Sequence, residues 1–303
     1  MQLVEILQKR EYIQGATPSL ASGIVFTVAF SLFLSITSFS CILYHQWWFL
    51  GSWCTGLIIE ILGYSGRIWY TINDNSSGAY IMQSLCLTIS PIFLMAGIYN
   101  ILAQLILIYG NNFSILKPKK YAAIFVTCDV ISLFVQGAGG GLSGASSDPD
   151  TGRYIEIAGL AFQAFTMTIF QYFWYTFLWK VYKSKKLFDE DEFNPRYLNL
   201  RKNNKFMKPF ILAVSISVIL IYTRSIYRAI EMGKGYTSYL TTNEIYFDIL
   251  DGLMVALSGL LMSIVSPGLV YGKNSHLYFR KDGYDHDIHD IKDYDSLKQR
   301  LEL

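Results

Sequence analysis

Charge is scarce in this chain: Asp, Glu, Lys and Arg make up 16% of its 303 residues, while apolar types make up 52%. A soluble domain carries about 25% charged residues, so too few are present to cover a watery surface. Cysteine is sparse as well. Cys41, Cys54, Cys86 and Cys128 all fall inside apolar runs, which argues against a disulfide framework and leaves them as small buried hydrophobes. The four histidines lie in loops or in the final stretch, so an intramembrane metal-ligand cluster is missing. His286 and His289 have a metal-compatible spacing, but nothing else completes a site. No P-loop pattern is present, and basic residues do not alternate with base-stacking aromatics, which speaks against both ATP-driven pumping by this chain alone and nucleic-acid binding. No cofactor, metal or catalytic constellation is expected, and the chain reads as a non-enzyme. A cleavable signal peptide is not expected either, because the first apolar run, at about 25 residues, is too long for one.

What is abundant is apolar length. A spanning helix needs about 20 apolar residues. Seven such runs occur, at about 18–44, 48–70, 80–109, 121–142, 154–179, 209–230 and 244–271. The expected fold is therefore all-α, a polytopic bundle of seven transmembrane helices. Thr17-Pro18 reads as a capped entry to the first helix. Trp47, Trp48, Trp69, Tyr70, Trp174 and Trp179 fall at span ends, where amphipathic rings favour the headgroup layer. The longest connection, Lys180 to Lys208, reads as a charged loop.

Orientation follows from the basic residues. With the N-terminus outside, 18 Lys and Arg fall on the cytosolic side and 4 outside, although Lys9 and Arg10 before the first helix oppose the trend. Three regions result: an extracellular segment 1–17, a membrane domain 18–271 and a charged cytosolic tail 272–303. Asn75-Ser76-Ser77 forms a glycosylation sequon on the expected outer side.

Ionisable residues inside spans are costly and normally face the bundle interior with a partner. Helix two carries Glu60 and Arg67, and helix four Asp129 and Gln136. Helix five carries Gln163 and Gln171, helix six Arg224, Arg228 and Glu231, and helix seven Glu244, Asp248 and Asp251. At 1.5 Å per residue, Glu60, Gln136 and Arg224 lie about 20–22 Å from the cytosolic side. Asp251 lies about 10 Å from the outside, the same level in a core about 30 Å thick. The spacing predicts pairs Arg224–Asp251 and Arg228–Asp248. Such pairs can simply lock helices together. Acids nevertheless outnumber bases six to three in this set, so mutual neutralisation is incomplete. Glu60 or Asp129 is then a candidate to carry a proton and couple transport to a proton gradient. The glycines 137, 139, 140, 141 and 144 end helix four, where the dipole repels phosphate, and read as close packing followed by an exit loop. Pro91 should kink helix three and free a carbonyl able to line a cavity.

These stretches together resemble a family. Glu60-x-x-Gly-Tyr-x-x-Arg67, Pro91 with Ile98-Tyr99, and Phe125-Val-x-x-Asp129 through Gln136 and Gly141 are similar to the fungal lipid-translocating exporter (RTA-like) proteins. So are Gly159-Leu-x-x-Gln163, Arg224-Ser-Ile-Tyr-Arg228-x-x-Glu231, Glu244 and Asp251. The chain departs from that pattern at Gln104, Ser90, Asp248 and Asn243. The resemblance implies a seven-helix plasma-membrane protein of a fungus that moves amphipathic molecules. It implies a sphingoid long-chain base, a sterol-like toxin, or porphyrin or haem as ligand, with membrane lipids and a homo-oligomer as possible partners. The alternative is a seven-helix receptor or sensor that raises resistance by signalling. A rhodopsin is disfavoured because helix seven has no lysine, and a G-protein-coupled receptor because helix three ends Ile108-Tyr109-Gly110.

Overall fold

A computed structural model describes residues 19–73, 77–145, 149–186, 205–234 and 243–271. Seven long helices account for nearly all of them. α1 is Leu20–Leu43. α2 comprises Trp47–Phe49, a π-helical turn Leu50–Cys54 and Thr55–Ile72. α3 is Ser77–Tyr109, α4 Pro118–Ala145, α5 Pro149–Lys186 and α6 Met207–Lys234. α7 comprises Glu244–Phe247, a π-helical segment Asp248–Leu253 and Met254–Ile264, and a short α8 follows at Pro267–Tyr271.

Each helix packs on its sequence neighbour, and α7 returns to α1, closing a ring. α3 also touches α6 through the interior. Its most apolar stretch is 78% buried against 17% for α1, so α3 is the central helix and α1 a peripheral one. Large apolar side chains such as Val25, Leu32, Phe39, Phe134, Phe165 and Leu212 point outward. A water-soluble bundle would hide these, whereas lipid accepts them. Five helices are long and apolar enough to cross a bilayer: α1, α3, α4, α6, and α7 with α8. Glu60, Arg67 and the glycines dilute α2 below that measure, as Gln163, Gln171 and polar-tipped aromatics do α5. The chain is a multi-pass membrane protein.

Several boundaries differ from expectation. Ser19 caps α1, accepting from the Ser22 amide, while Thr17-Pro18 and the Asn75-Ser76 portion of the sequon lie outside the described residues. The same holds for the 272–303 stretch with its three histidines. The supposed loop from Lys180 is helical to Lys186, so α5, with 38 residues, extends about 57 Å and overshoots any hydrocarbon core. Trp174 is fully buried and donates to Ser215 at 3.0 Å, so it belongs to the core and not to an interfacial belt. α3 stops where Gly110 takes a positive φ of 127°, as a helix-ending residue without a Cβ can.

The glycine run is helical rather than an exit loop, and only part of it packs. A Cβ on Gly139 would lie 2.4 Å from the Glu156 amide nitrogen, and one on Gly159 3.0 Å from that of Gln136. These two positions let α4 and α5 approach backbone to backbone. Gly137, Gly140 and Gly141 face open space. Gly139→Val should therefore cost about 1–3 kcal/mol by overpacking. Gly140→Ala should stay within about 0.5 kcal/mol of the parent. Thermal unfolding of the two variants in detergent checks the contrast.

Candidate functional site

Arg224 is 2% exposed and sits where α2, α3, α6 and α7 meet. A buried guanidinium must find acceptors for its donors. Pro91 supplies one. Lacking an N–H, it cannot satisfy the carbonyl four residues earlier, which is that of Leu87. Arg224 Nη2 donates to this freed carbonyl at 2.5 Å. Arg224 Nε lies 2.9 Å from Asp251 Oδ1, and Nη2 lies 3.8 Å from Glu60 Oε1. The Arg224–Asp251 pair forms as the spacing predicts, and the carbonyl freed by Pro91 lines the polar centre as expected.

Arg228, one turn along α6, lies 3.1 Å from Asp251 Oδ1 and 3.1 Å from Glu231 Oε2. The expected Arg228–Asp248 pair is absent. Asp248 lies instead 3.8 Å from Arg67, which also binds Glu244. The reason is the π-helical segment of α7: its i→i+5 turn is wider than an α-turn and spreads Asp248 and Asp251 to different partners. Glu244 further accepts from the Ser19 amide and the Ser22 hydroxyl, tying the starts of α1 and α7 to the end of α2. Phe247 joins the two ionic groups, with Arg67 4.5 Å and Arg228 5.2 Å from its ring centre.

Gln136 and Asp129 make no contact with these arginines, and Gln163 meets them only across a shared cavity. The Gln136 amide donates to Gln163 at 3.0 Å and to Ser132 at 2.6 Å, bridging α4 and α5. Asp129 is fully buried and accepts from the Tyr99 hydroxyl at 2.8 Å. It joins none of the ion pairs among the described residues. Gln171 is partly buried and faces neither group closely enough to bond.

A small cavity opens between α3, α5 and α6, lined by Pro91, Glu156, Gln163, Arg224 and Arg228 among others. Its volume of about 20 Å³ holds one water, far below the several hundred Å³ of a ligand pocket. This cavity is thus too small to hold a ligand headgroup. Glu156 lines it without an ion pair within 4 Å among the described residues.

The RTA1-like family model matches residues 53–274, from early α2 to the end of the described bundle. The chain belongs to the RTA1-like family. It is 35% identical over 319 aligned residues to a Saccharomyces cerevisiae protein named sphingoid long-chain base transporter RSB1, covering 94% of this chain and 83% of that one. It is 30% identical over 213 residues to protoporphyrin uptake protein 1 of the same yeast, covering 70% and 66%. Protein RTM1, also from that yeast, is 27% identical over 212 residues, covering 70% and 65%. No solved structure matches.

Sequence reasoning missed two parts of this candidate site. Glu156 sits two residues into an apolar run and was not counted with the embedded acids, and Phe247 carries no charge to flag it. Tyr99 is singled out by the sequence only within the family-like stretch after Pro91, without its bond to Asp129. Double-mutant cycles on reversible unfolding in mixed micelles check the geometry. Arg224 with Asp251 should couple by about 1–3 kcal/mol, and Arg67 with Asp248 should couple more strongly than Arg228 with Asp248.

Proposed function

We propose that this RTA1-like protein is a plasma-membrane transporter of amphipathic molecules whose headgroup passes through the acid-rich centre around Arg224 and Asp251. It crosses the membrane seven times with the N-terminus outside, so that 1–17 are extracellular and 272–303 form a cytosolic tail. Its transport is not ATP-driven by itself, and the protein is not an enzyme. It works as a monomer or a homo-oligomer.

The observation that carries this reading is a built, desolvated ionic cluster inside a membrane bundle whose relatives are named as transporters. Arg224, Arg228 and Glu156 line the cavity, and Glu60, Asp251 and Glu231 pair with the two arginines, so the group as a whole has an excess of two acids. That balance favours a cationic headgroup, such as the ammonium of a sphingoid long-chain base, over the carboxylates of a porphyrin or haem. A sterol-like toxin, being neutral, gains nothing from it.

Purified protein in liposomes should accelerate transbilayer movement of a fluorescent sphingoid base. Alanine at Glu60, Arg224 or Asp251 should abolish movement while protein level is kept. Glu156→Gln should slow the amine about tenfold, equivalent to about 1.4 kcal/mol, and spare a neutral analogue of equal chain length. If the purified protein moves nothing while cells still gain resistance, the sensor reading replaces this one.

A further inference from the structure

Asp129 belongs to neither ionic group, and unlike Glu156, the other acid without an ion pair among the described residues, it is fully buried. Glu60 has Arg224 within 3.8 Å, and Asp251 has two arginines within 3.1 Å. Glu231 has Arg228, while Glu244 and Asp248 share Arg67. Asp129 is fully buried, and its Oδ2 takes the Tyr99 hydroxyl, while Oδ1 has no hydrogen-bond partner.

The groups that face it come from three helices. α3 offers Tyr99, whose ring packs 5.3 Å from Phe125 and 4.7 Å from Phe170. On its own helix α4 the titratable neighbour is the Cys128 thiol, and below it lies Phe125. α5 offers Thr166, whose hydroxyl donates to the Gln163 carbonyl at 2.9 Å, and the ring of Phe170. None of these is a cation. The Tyr99 phenol, with the Thr166 hydroxyl nearby, does not replace the solvation of a carboxylate in an aromatic interior.

A polar file leads from this residue to the cavity. Asp129, Ser132 and Gln136 recur at three and four residues on α4, one helical face. Ser132 donates to the Gly159 carbonyl at 2.7 Å, and Gln136 reaches Gln163, which lines the cavity beside Arg224. The close α4–α5 approach at Gly159 places this file.

We infer that Asp129 is a proton-binding site of the protein, protonated in this dry packing and ionised when the α4–α5 file gains water. One proton then passes from water on one side to the Asp129 carboxyl, and later from that carboxyl to water on the other, with no electron moved. Glu60, the other candidate from the sequence, differs in having Arg224 3.8 Å away, a charge that favours its ionised form. The coupling of that proton to substrate movement rests on the transporter reading.

Infrared spectroscopy of the purified full chain tests the site without transport. The carbonyl stretch of a protonated carboxylic acid should be present in the parent protein and missing in Asp129→Asn. Tyr99→Phe keeps the acid but removes its hydrogen bond, so the band should remain and shift to higher frequency. This second variant keeps the test decisive if Asp129→Asn fails to fold. In liposomes, the ratio of sphingoid-base movement with and without an imposed pH difference should exceed unity for the parent and fall to unity for Asp129→Asn. A band that survives Asp129→Asn, or no band at all, overturns the inference. So does movement indifferent to the pH difference in the parent, while leaving the transporter reading intact. Absence of any movement with the band present sinks the transporter reading and leaves the proton site standing.

Discussion

A guanidinium with almost no access to solvent must be satisfied from within, and Arg224 is that group here. Leaving any of its donors bare inside the bundle costs several kcal/mol, so the helices around it are not free to choose their positions. α3 meets the demand by giving up a backbone hydrogen bond at Pro91, at a cost of about 3 kcal/mol in an ordinary helix. In this setting the lost bond is replaced, because the Leu87 carbonyl receives Arg224. α7 brings Asp251 and α2 brings Glu60 to the same group. One side chain on α6 thereby fixes the relative depth of three other helices.

The second consequence is electrostatic. Arg228 shares Asp251 with Arg224, so the two arginines are held side by side only because Asp251, Glu60 and Glu231 surround them. Phe247 extends this order to Arg67 by offering its ring to both guanidinium groups. A cation bound on the π face is worth about 0.5–2 kcal/mol, comparable to a good hydrogen bond. Ion pairs of this kind cannot separate into a dry interior without a substitute partner. A headgroup entering from the cavity side therefore has to exchange with an existing contact, and Glu156 offers it a carboxylate that no described arginine has taken.

Much of this was legible in the residues. Helix identity, the embedding of Glu60, Arg224 and Asp251 at one level, and the carbonyl freed by Pro91 all follow from hydropathy, the 1.5 Å rise and the chemistry of proline. The pairing of Arg228 with Asp248 did not, because a rise-and-register argument assumes regular α-turns throughout. Nothing in Asp248-Ile-Leu-Asp-Gly-Leu253 announces a π-helical turn, and the steric evidence appears only in three dimensions. A Cβ on Gly252 would meet the Tyr64 hydroxyl at 2.4 Å, so this irregular turn leaves room for the Tyr64 side chain of α2. Helix ends were equally hidden at α5, where Lys180, Lys183, Lys185 and Lys186 look like loop yet continue the helix. Lysine is a good helix former, and charge alone says that a segment is solvated, not that it is unwound.

The separation of Asp129 from the arginines has a cause in the same packing. Gly139 and Gly159 draw α4 against α5 until side chains are squeezed out of the contact, and the polar groups that remain, Ser132, Gln136 and Gln163, bond to each other and to backbone. Such an interface has no room for a lysine or arginine between the helices. An acid on that face of α4 is left with whatever α3 offers, and α3 offers the Tyr99 phenol. The arginine cluster lies on the opposite side of the cavity, where α6 meets α7 and the π-helical turn makes space for long side chains. Tight glycine packing on one side and a widened helix on the other thus divide the embedded acids among the described residues into a set paired with arginines and two without one, Asp129 in the interior and Glu156 at the cavity.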